Sequence, residues 1–315
     1  MARTRFRGFL RVGAVAVALA GGAVVAVPTA AAADVPVLNG QWAPLNRCPV
    51  DDPLMLAADG TTTSAACLTS HAASGEFTIG GTTLHAGAAD LQTGVLNKAG
   101  VYSLVTPAGA GILAEPVQVP GGLLGLMCPS AVPLVSDICD GLVGSPLNAI
   151  TATLEPAGPP RDFNLSAGTG VGVPIATIPV RVHLRNPLLD PNCYIGSTAD
   201  PILLRPANLS KPTAALTRFN ADGTANPTGE MGYLKLTGAS QGDSTFAVPG
   251  ASGCGLLGLL DGAVNLKQGL PSPAGKNSLV LNDAATYFGG FQNPRAFTPT
   301  EGQQLSDRWH AAVTG

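Results

Sequence analysis

Charged residues make up only 12% of this 315-residue chain, about half the usual share of a globular protein. Disordered chains need the opposite composition, high charge with little apolar content, so extended disorder is excluded. Histidine is equally sparse, with four residues, and no Cys-x-x-Cys pair occurs; the ligand spacing of zinc sites is therefore missing. Neither a phosphate-binding glycine loop nor a dinucleotide fingerprint is present, so no cofactor is expected. Beyond residue 33 no long apolar run remains, and no membrane span is expected in that part of the chain.

What the chain does have is a tripartite N-terminus. Arg3, Arg5, Arg7 and Arg11 form a positive start, residues 12–27 an uncharged apolar run, and Ala31-x-Ala33 a small-residue cleavage motif. Sixteen residues, several of them Gly and Ala, fall short of the about 20 that span a bilayer. Residues 1–33 therefore read as a secretory signal peptide cleaved after Ala33. Paired arginines and a following cysteine, the marks of twin-arginine export and lipidation, are both missing. The leader's four basic residues leave 13 basic against 20 acidic ones in the remaining 282, a formal charge of −7. Such a balance attracts neither phosphates nor anionic lipids, which argues against a nucleic-acid partner.

All six cysteines (Cys48, Cys67, Cys128, Cys139, Cys193 and Cys254) follow the leader. An even count outside the cytoplasm reads as three disulfides, although sequence alone does not choose the pairing. The expectation taken forward is nearest-neighbour pairing: Cys48–Cys67, Cys128–Cys139 and Cys193–Cys254.

Glycine (40) and proline (27) are frequent, so turns are many and long helices few. Glu76-Phe77-Thr78-Ile79 and Thr82-Thr83-Leu84-His85 flank Gly80-Gly81, a two-residue hairpin signal. Residues 101–105 alternate, and so do residues 179–185, with Val180, Val182 and Leu184 inward and Arg181, His183 and Arg185 outward. Residues 233–237 and 244–248 suggest a further hairpin around 238–243. Residues 131–143 and 255–268 read as short, mostly buried helices. The fold class expected is mainly β: antiparallel sandwich-like or barrel-like sheets with short apolar helices.

An internal repeat suggests two related halves. Val119-Pro120-Gly121, a GLLGL segment, a Ser145-Pro146 turn and a strand to Leu154 are matched by Val248-Pro249-Gly250, a second GLLGL, Ser272-Pro273 and a strand to Leu281. Both leucine segments are expected to be buried. The division predicted is a first β-rich half at 34–157, a Pro/Gly-rich linker at 158–174, a second half at 175–283 and a tail at 284–315. In the tail, Thr298-Pro299-Thr300-Glu301 matches a capping box with proline first in the helix, and Leu305, Trp309 and Ala312 share one face.

Residues 40–53 (GQWAPLNRCPVDDP) and 180–189 (VRVHLRNPLL), the latter leading to 192–197 (NCYIGS), carry a resemblance. With Phe246-Ala247-Val248-Pro249 and Gly269-Leu270-Pro271-Ser272, they resemble a family of uncharacterised secreted proteins from high-GC actinobacteria. The resemblance covers residues 38–283 and implies an extracellular or envelope location; no catalytic residue carries over from it.

One enzyme motif stands in the chain. Gly238-Ala239-Ser240-Gln241-Gly242 is a formal G-x-S-x-G, and Asp261 or Asp283 and then His310 follow in the chain order of an α/β-hydrolase. That fold needs the serine on a turn from strand into helix, whereas residues 243–249 read as strand, which favours a polar turn. His71, His85 and His183 are scattered singly and read as strand-face residues. Asp51-Asp52 lacks the interleaved ligands of a calcium loop. Three roles thus compete: a non-catalytic extracellular or envelope binding or structural protein, a secreted serine hydrolase using Ser240, and a surface-active or pore-forming protein. The first is favoured, because no polar catalytic cluster is evident. Ligand and partner are unknown at this level.

Overall fold

The computed structural model describes residues 35–107, 111–128 and 133–314. The expected signal peptide falls outside the described residues, as do residues 131 and 132 of the expected first helix. Val35–Gly315 form a single unit. Its strands are β1 (Thr63–Ala72), β2 (Ser74–Ile79), β3 (Thr82–Ala86), β4 (Ala89–Lys98), β5 (Val101–Val105), β6 (Ile112–Ala114), β7 (Val117–Gln118) and β8 (Thr151–Pro156). After a long connection come β9 (Ile178–Arg185), β10 (Tyr194–Ile195), β11 (Ile202–Leu204), β12 (Ala207–Asn208) and β13 (Thr213–Phe219). The set closes with β14 (Met231–Asp243), β15 (Ala251–Ser252) and β16 (Ser278–Phe291). Among the described residues five α-helices accompany them: α1 (Pro53–Leu56), α2 (Gly122–Met127), α3 (Pro133–Leu142), α4 (Asp261–Gln268) and α5 (Glu301–Ala311).

The protein is mainly β, with two antiparallel sheets facing one another. The larger sheet has ten strands along the path β12-β14-β16-β1-β4-β5, with β13 on β14, the β2–β3 hairpin on β16 and β6 on β4. The smaller has six, in the order β15-β10-β9-β8-β7, with β11 on β9. Neither closes into a barrel. The Gly80-Gly81 hairpin forms as its sequence predicts, pairing Ile79 with Thr82. In β9, Val180, Val182 and Leu184 are buried as the alternation requires. His183, expected outward, is buried as well. It stacks on Tyr194 at 4.3 Å between centroids and bonds Glu155 at 2.8 Å.

The larger sheet is covered on both faces. Against one lie the N-terminal segment and α5, where Trp42, Leu45, Met55, Phe219, Leu305 and Trp309 form a core. Trp309 Nε1 donates to the Leu45 carbonyl at 2.8 Å, and the disulfide Cys48–Cys67 ties this layer to β1. The other face meets the smaller sheet and helices α2–α4, where Leu123, Met127, Ile150, Val180, Leu184 and Val264 are enclosed with Phe77 and Leu279 of the larger sheet. Cys128–Cys139 joins the end of α2 to α3, and Cys193–Cys254 anchors the loop before α4. All three are nearest-neighbour pairs.

Several expectations need correction. The two leucine segments do not share the burial expected of both, since the first is the buried helix α2 while the second is an exposed 3-10 turn in which Leu257 is 93% accessible. Asp261 accepts from Gly253 N and Cys254 N, holding the second turn so that Leu260, Ala263 and Val264 supply the buried face instead. The strands that follow part company too, β8 in the smaller sheet and β16 in the larger. Pairing crosses the division drawn between the two halves, because β16 pairs with β14 on one edge and with β1 and β2 on the other. Residues 233–243 are one strand, not a hairpin; register shifts against β16 absorb the irregular stretch between Leu236 and Gln241. Finally, α5 starts at Glu301, two residues beyond Pro299, and Thr300 makes no side-chain cap. The Glu301 carboxylate turns inward to accept from Ala65 N at 2.8 Å, so it does not reach back toward Thr298. The shared face is as expected, with Leu305, Trp309 and Ala312 buried.

Candidate functional site

The segment read as a linker covers a cavity. Residues 161–177 leave the smaller sheet and return, their ends joined by paired bonds between Arg161 and Thr177. Asn164 N donates to the Ile175 carbonyl at 2.8 Å, and Ile175 N to the Pro206 carbonyl at 2.9 Å. Asn208 Nδ2 clasps the same strap by donating to the carbonyls of Gly168 and Gly170 at 2.8 and 3.0 Å. Phe163 points inward from the strap, edge-on to Tyr102 with ring centroids 5.7 Å apart.

Beneath the strap, between the two sheets, is a cavity of about 120 Å³. The larger sheet supplies Leu68, Leu91, Leu104, Leu236, Leu279, Leu281 and Phe288; the smaller supplies Leu154, Ile178, Val180 and Leu204; the strap adds Phe163, Leu165 and Ile175. The room exists because small residues stand where larger ones would fill it. Ala239 and Ala284 are register partners at the centre of β14 and β16, and Ala72 and Ala89 are partners on β1 and β4. Engineered apolar cavities of about 150 Å³ stay dry and take up benzene, so this space suits one apolar group of similar size. Its polar side chains are few. Ser70 and Thr286 bond each other through their hydroxyls at 2.9 Å. Asp90, the charged residue of the described wall, pairs with His71 Nδ1 at 2.8 Å. Gln241, adjacent to the sequence-predicted Ser240, also lines the space.

The residues singled out for hydrolase chemistry are not assembled. Ser240 lies within β14, which continues to Asp243 without turning into a helix, and its carbonyl accepts from Leu209 N at 2.9 Å. Asp261 serves as the backbone cap of the 253–254 turn. Asp283 is an exposed residue with φ +48. His310 Nε2 pairs with Asp51 at 2.9 Å on the opposite face of the larger sheet. A nucleophile needs its base within hydrogen-bond reach, and among the described residues no such bond joins Ser240 to a histidine. Asp51 and Asp52 are also accounted for. Burial would raise the Asp51 pKa, but bonds from Ser306 and His310 outweigh it and hold the carboxyl below its ordinary value; Asp52 caps α1 through Leu54 N at 2.8 Å. Among the described residues no group of three or more His, Cys, Asp or Glu could hold a metal ion, and no helix is long and apolar enough to cross a membrane.

Gln241 and the alanines around it escape sequence reasoning, because the irregular stretch before them breaks the two-residue period that marks an inward face. Comparison of the chain with protein-family models, with curated proteins and with solved structures finds no match.

Proposed function

We propose that this is a secreted, disulfide-stabilised, non-catalytic protein that holds an apolar group between its two sheets, outside the cell or in the envelope. The observation that carries the reading is the cavity between the sheets, a concave apolar space with few polar groups, as small-molecule sites are built. Three disulfides suit an oxidising compartment, and the tripartite N-terminus supports export. The resemblance to secreted actinobacterial proteins supports the same location. Ligand-observed NMR with toluene tests the cavity: the wild-type chain binds it, and Ala284→Leu, which fills the space from β16, abolishes binding while the fold persists. Ala239→Val serves where leucine overpacks. Absence of toluene binding by the wild type refutes the reading.

A surface-active role has one observation in its favour: Leu256, Leu257 and Leu259 project into solvent, and exposed apolar patches mark interaction surfaces. Dye release from phosphatidylcholine vesicles, compared between wild type and Leu257→Ser, tests it.

A further inference from the structure

Of the two amides in the described cavity wall, Asn208 and Gln241, Gln241 is the one whose hydrogen-bonding capacity is left almost unused. It is only 8% exposed and it lines the space between the sheets. Its single side-chain bond among the described residues is a long donation, 3.4 Å, to Asn208 Oδ1. Asn208, by contrast, spends both of its N–H groups on the strap carbonyls. A carboxamide offers two donors and an acceptor with two lone pairs, so Gln241 keeps an N–H and its whole Oε1 for another partner. The unpartnered Oε1 is not one of the wholly enclosed polar atoms, so it keeps surface at which a ligand group can bond it.

We infer that Gln241 is the polar anchor of the cavity's ligand, and that the ligand is a neutral, mostly hydrocarbon molecule with one hydroxyl, carbonyl or amide group. The inference rests on the apolar-binding reading above and adds the chemistry of its head group. Neutrality follows from the wall. No Lys, Arg or His side chain belongs to its described residues, and its one carboxylate, that of Asp90, is already paired with His71. A carboxylate would be buried there without a counter-ion, which is far costlier than burying a hydroxyl, and an ammonium would find only the Asp90 carboxylate, whose side chain is 36% exposed and already hydrogen-bonded. A single polar group follows from the rest of the lining, since the Ser70 and Thr286 hydroxyls satisfy each other.

The test uses three probes of matched ring size (toluene, benzyl alcohol and benzoate), with affinities measured by NMR or calorimetry on the wild-type chain, Gln241→Leu and Gln241→Met. For the wild type, benzyl alcohol binds about tenfold more tightly than toluene, in keeping with one hydrogen bond to a buried amide, and benzoate binds most weakly. In the Leu variant the preference disappears while toluene binding is retained. The Met variant gives the same readout if leucine disturbs β14. If toluene and benzyl alcohol bind the wild type equally, or the variants leave their ratio unchanged, the anchor is refuted and the cavity reading stands. If benzoate binds best, neutrality is refuted. If none of the three binds, the cavity reading itself fails.

Discussion

Glu301 should make this protein less stable as pH rises from weakly acid to neutral. The residue opens α5 and is fully enclosed; its Oε1 accepts from Ala65 N, and its Oε2 is buried without a partner. Burial raises its pKa, the Ala65 bond works the other way, and the nearby Asp59 charge adds to the rise, leaving it at about 7 against an ordinary 4.5. The folded chain therefore keeps a proton that the unfolded chain releases. The contribution of the neutral carboxyl is complete below about pH 4.5 and is lost as pH climbs through about 7. At ~1.4 kcal/mol per pH unit the loss is on the order of 3 kcal/mol. Urea unfolding of wild type and Glu301→Gln, from pH 4.5 to 8, isolates it. Glutamine can still accept from Ala65 but does not titrate, so the stability difference should move by about 3 kcal/mol in favour of the variant across that range. Asp51 and Asp59 do not interfere. Thr63 and Thr61 N–H groups hold Asp59 down to about 2, and Asp51 is likewise lowered, so both lose their contributions at more acid pH. A difference that stays constant with pH would refute the argument.

Gly60→Ala should destabilise the same region by about 1–3 kcal/mol, since the residue has φ +73 and its Cβ would stand 2.5 Å from the Pro294 carbonyl; thermal denaturation reads the loss. Replacing Cys128 and Cys139 together by serine removes the bond between α2 and α3 and should cost roughly 2–4 kcal/mol, measured by urea unfolding without reductant. N-terminal sequencing of protein recovered from the culture medium should begin at Asp34, and a cell-bound product that starts at Met1 would contradict cleavage.

Strands with an alternating apolar face are legible in the sequence, even where, as at His183, the other face is buried too. Val180, Val182 and Leu184 announce β9 because each can leave water only on one side, and Gly80-Gly81 announces a turn because glycine adopts its backbone without strain. β14 misleads for the opposite reason: Gly238, Ser240 and Gly242 look like turn residues, and Gly238 does take a left-handed backbone at φ +76, but it makes only an irregularity in a strand whose pairing partners lie far away in β12, β13 and β16. The two leucine segments have almost the same residues and opposite fates, since burial depends on what faces them. No local pattern marks the cavity, because its alanines become neighbours only when separate strands pair.

The place of β16 has a consequence for how the chain is made. Ser70 on β1 meets Thr286 on β16 across 216 residues, and β14 needs the same strand on its own edge. A chain that emerges from its N-terminus must therefore wait until residue 291 is free before the larger sheet can join up. During that interval β1 and β14 each present an unpaired edge to whatever passes, and closing such long loops makes folding slow. Any truncation before β16 leaves two half-sheets with no seam between them, so this one strand decides whether the earlier ones become a sheet or an aggregate.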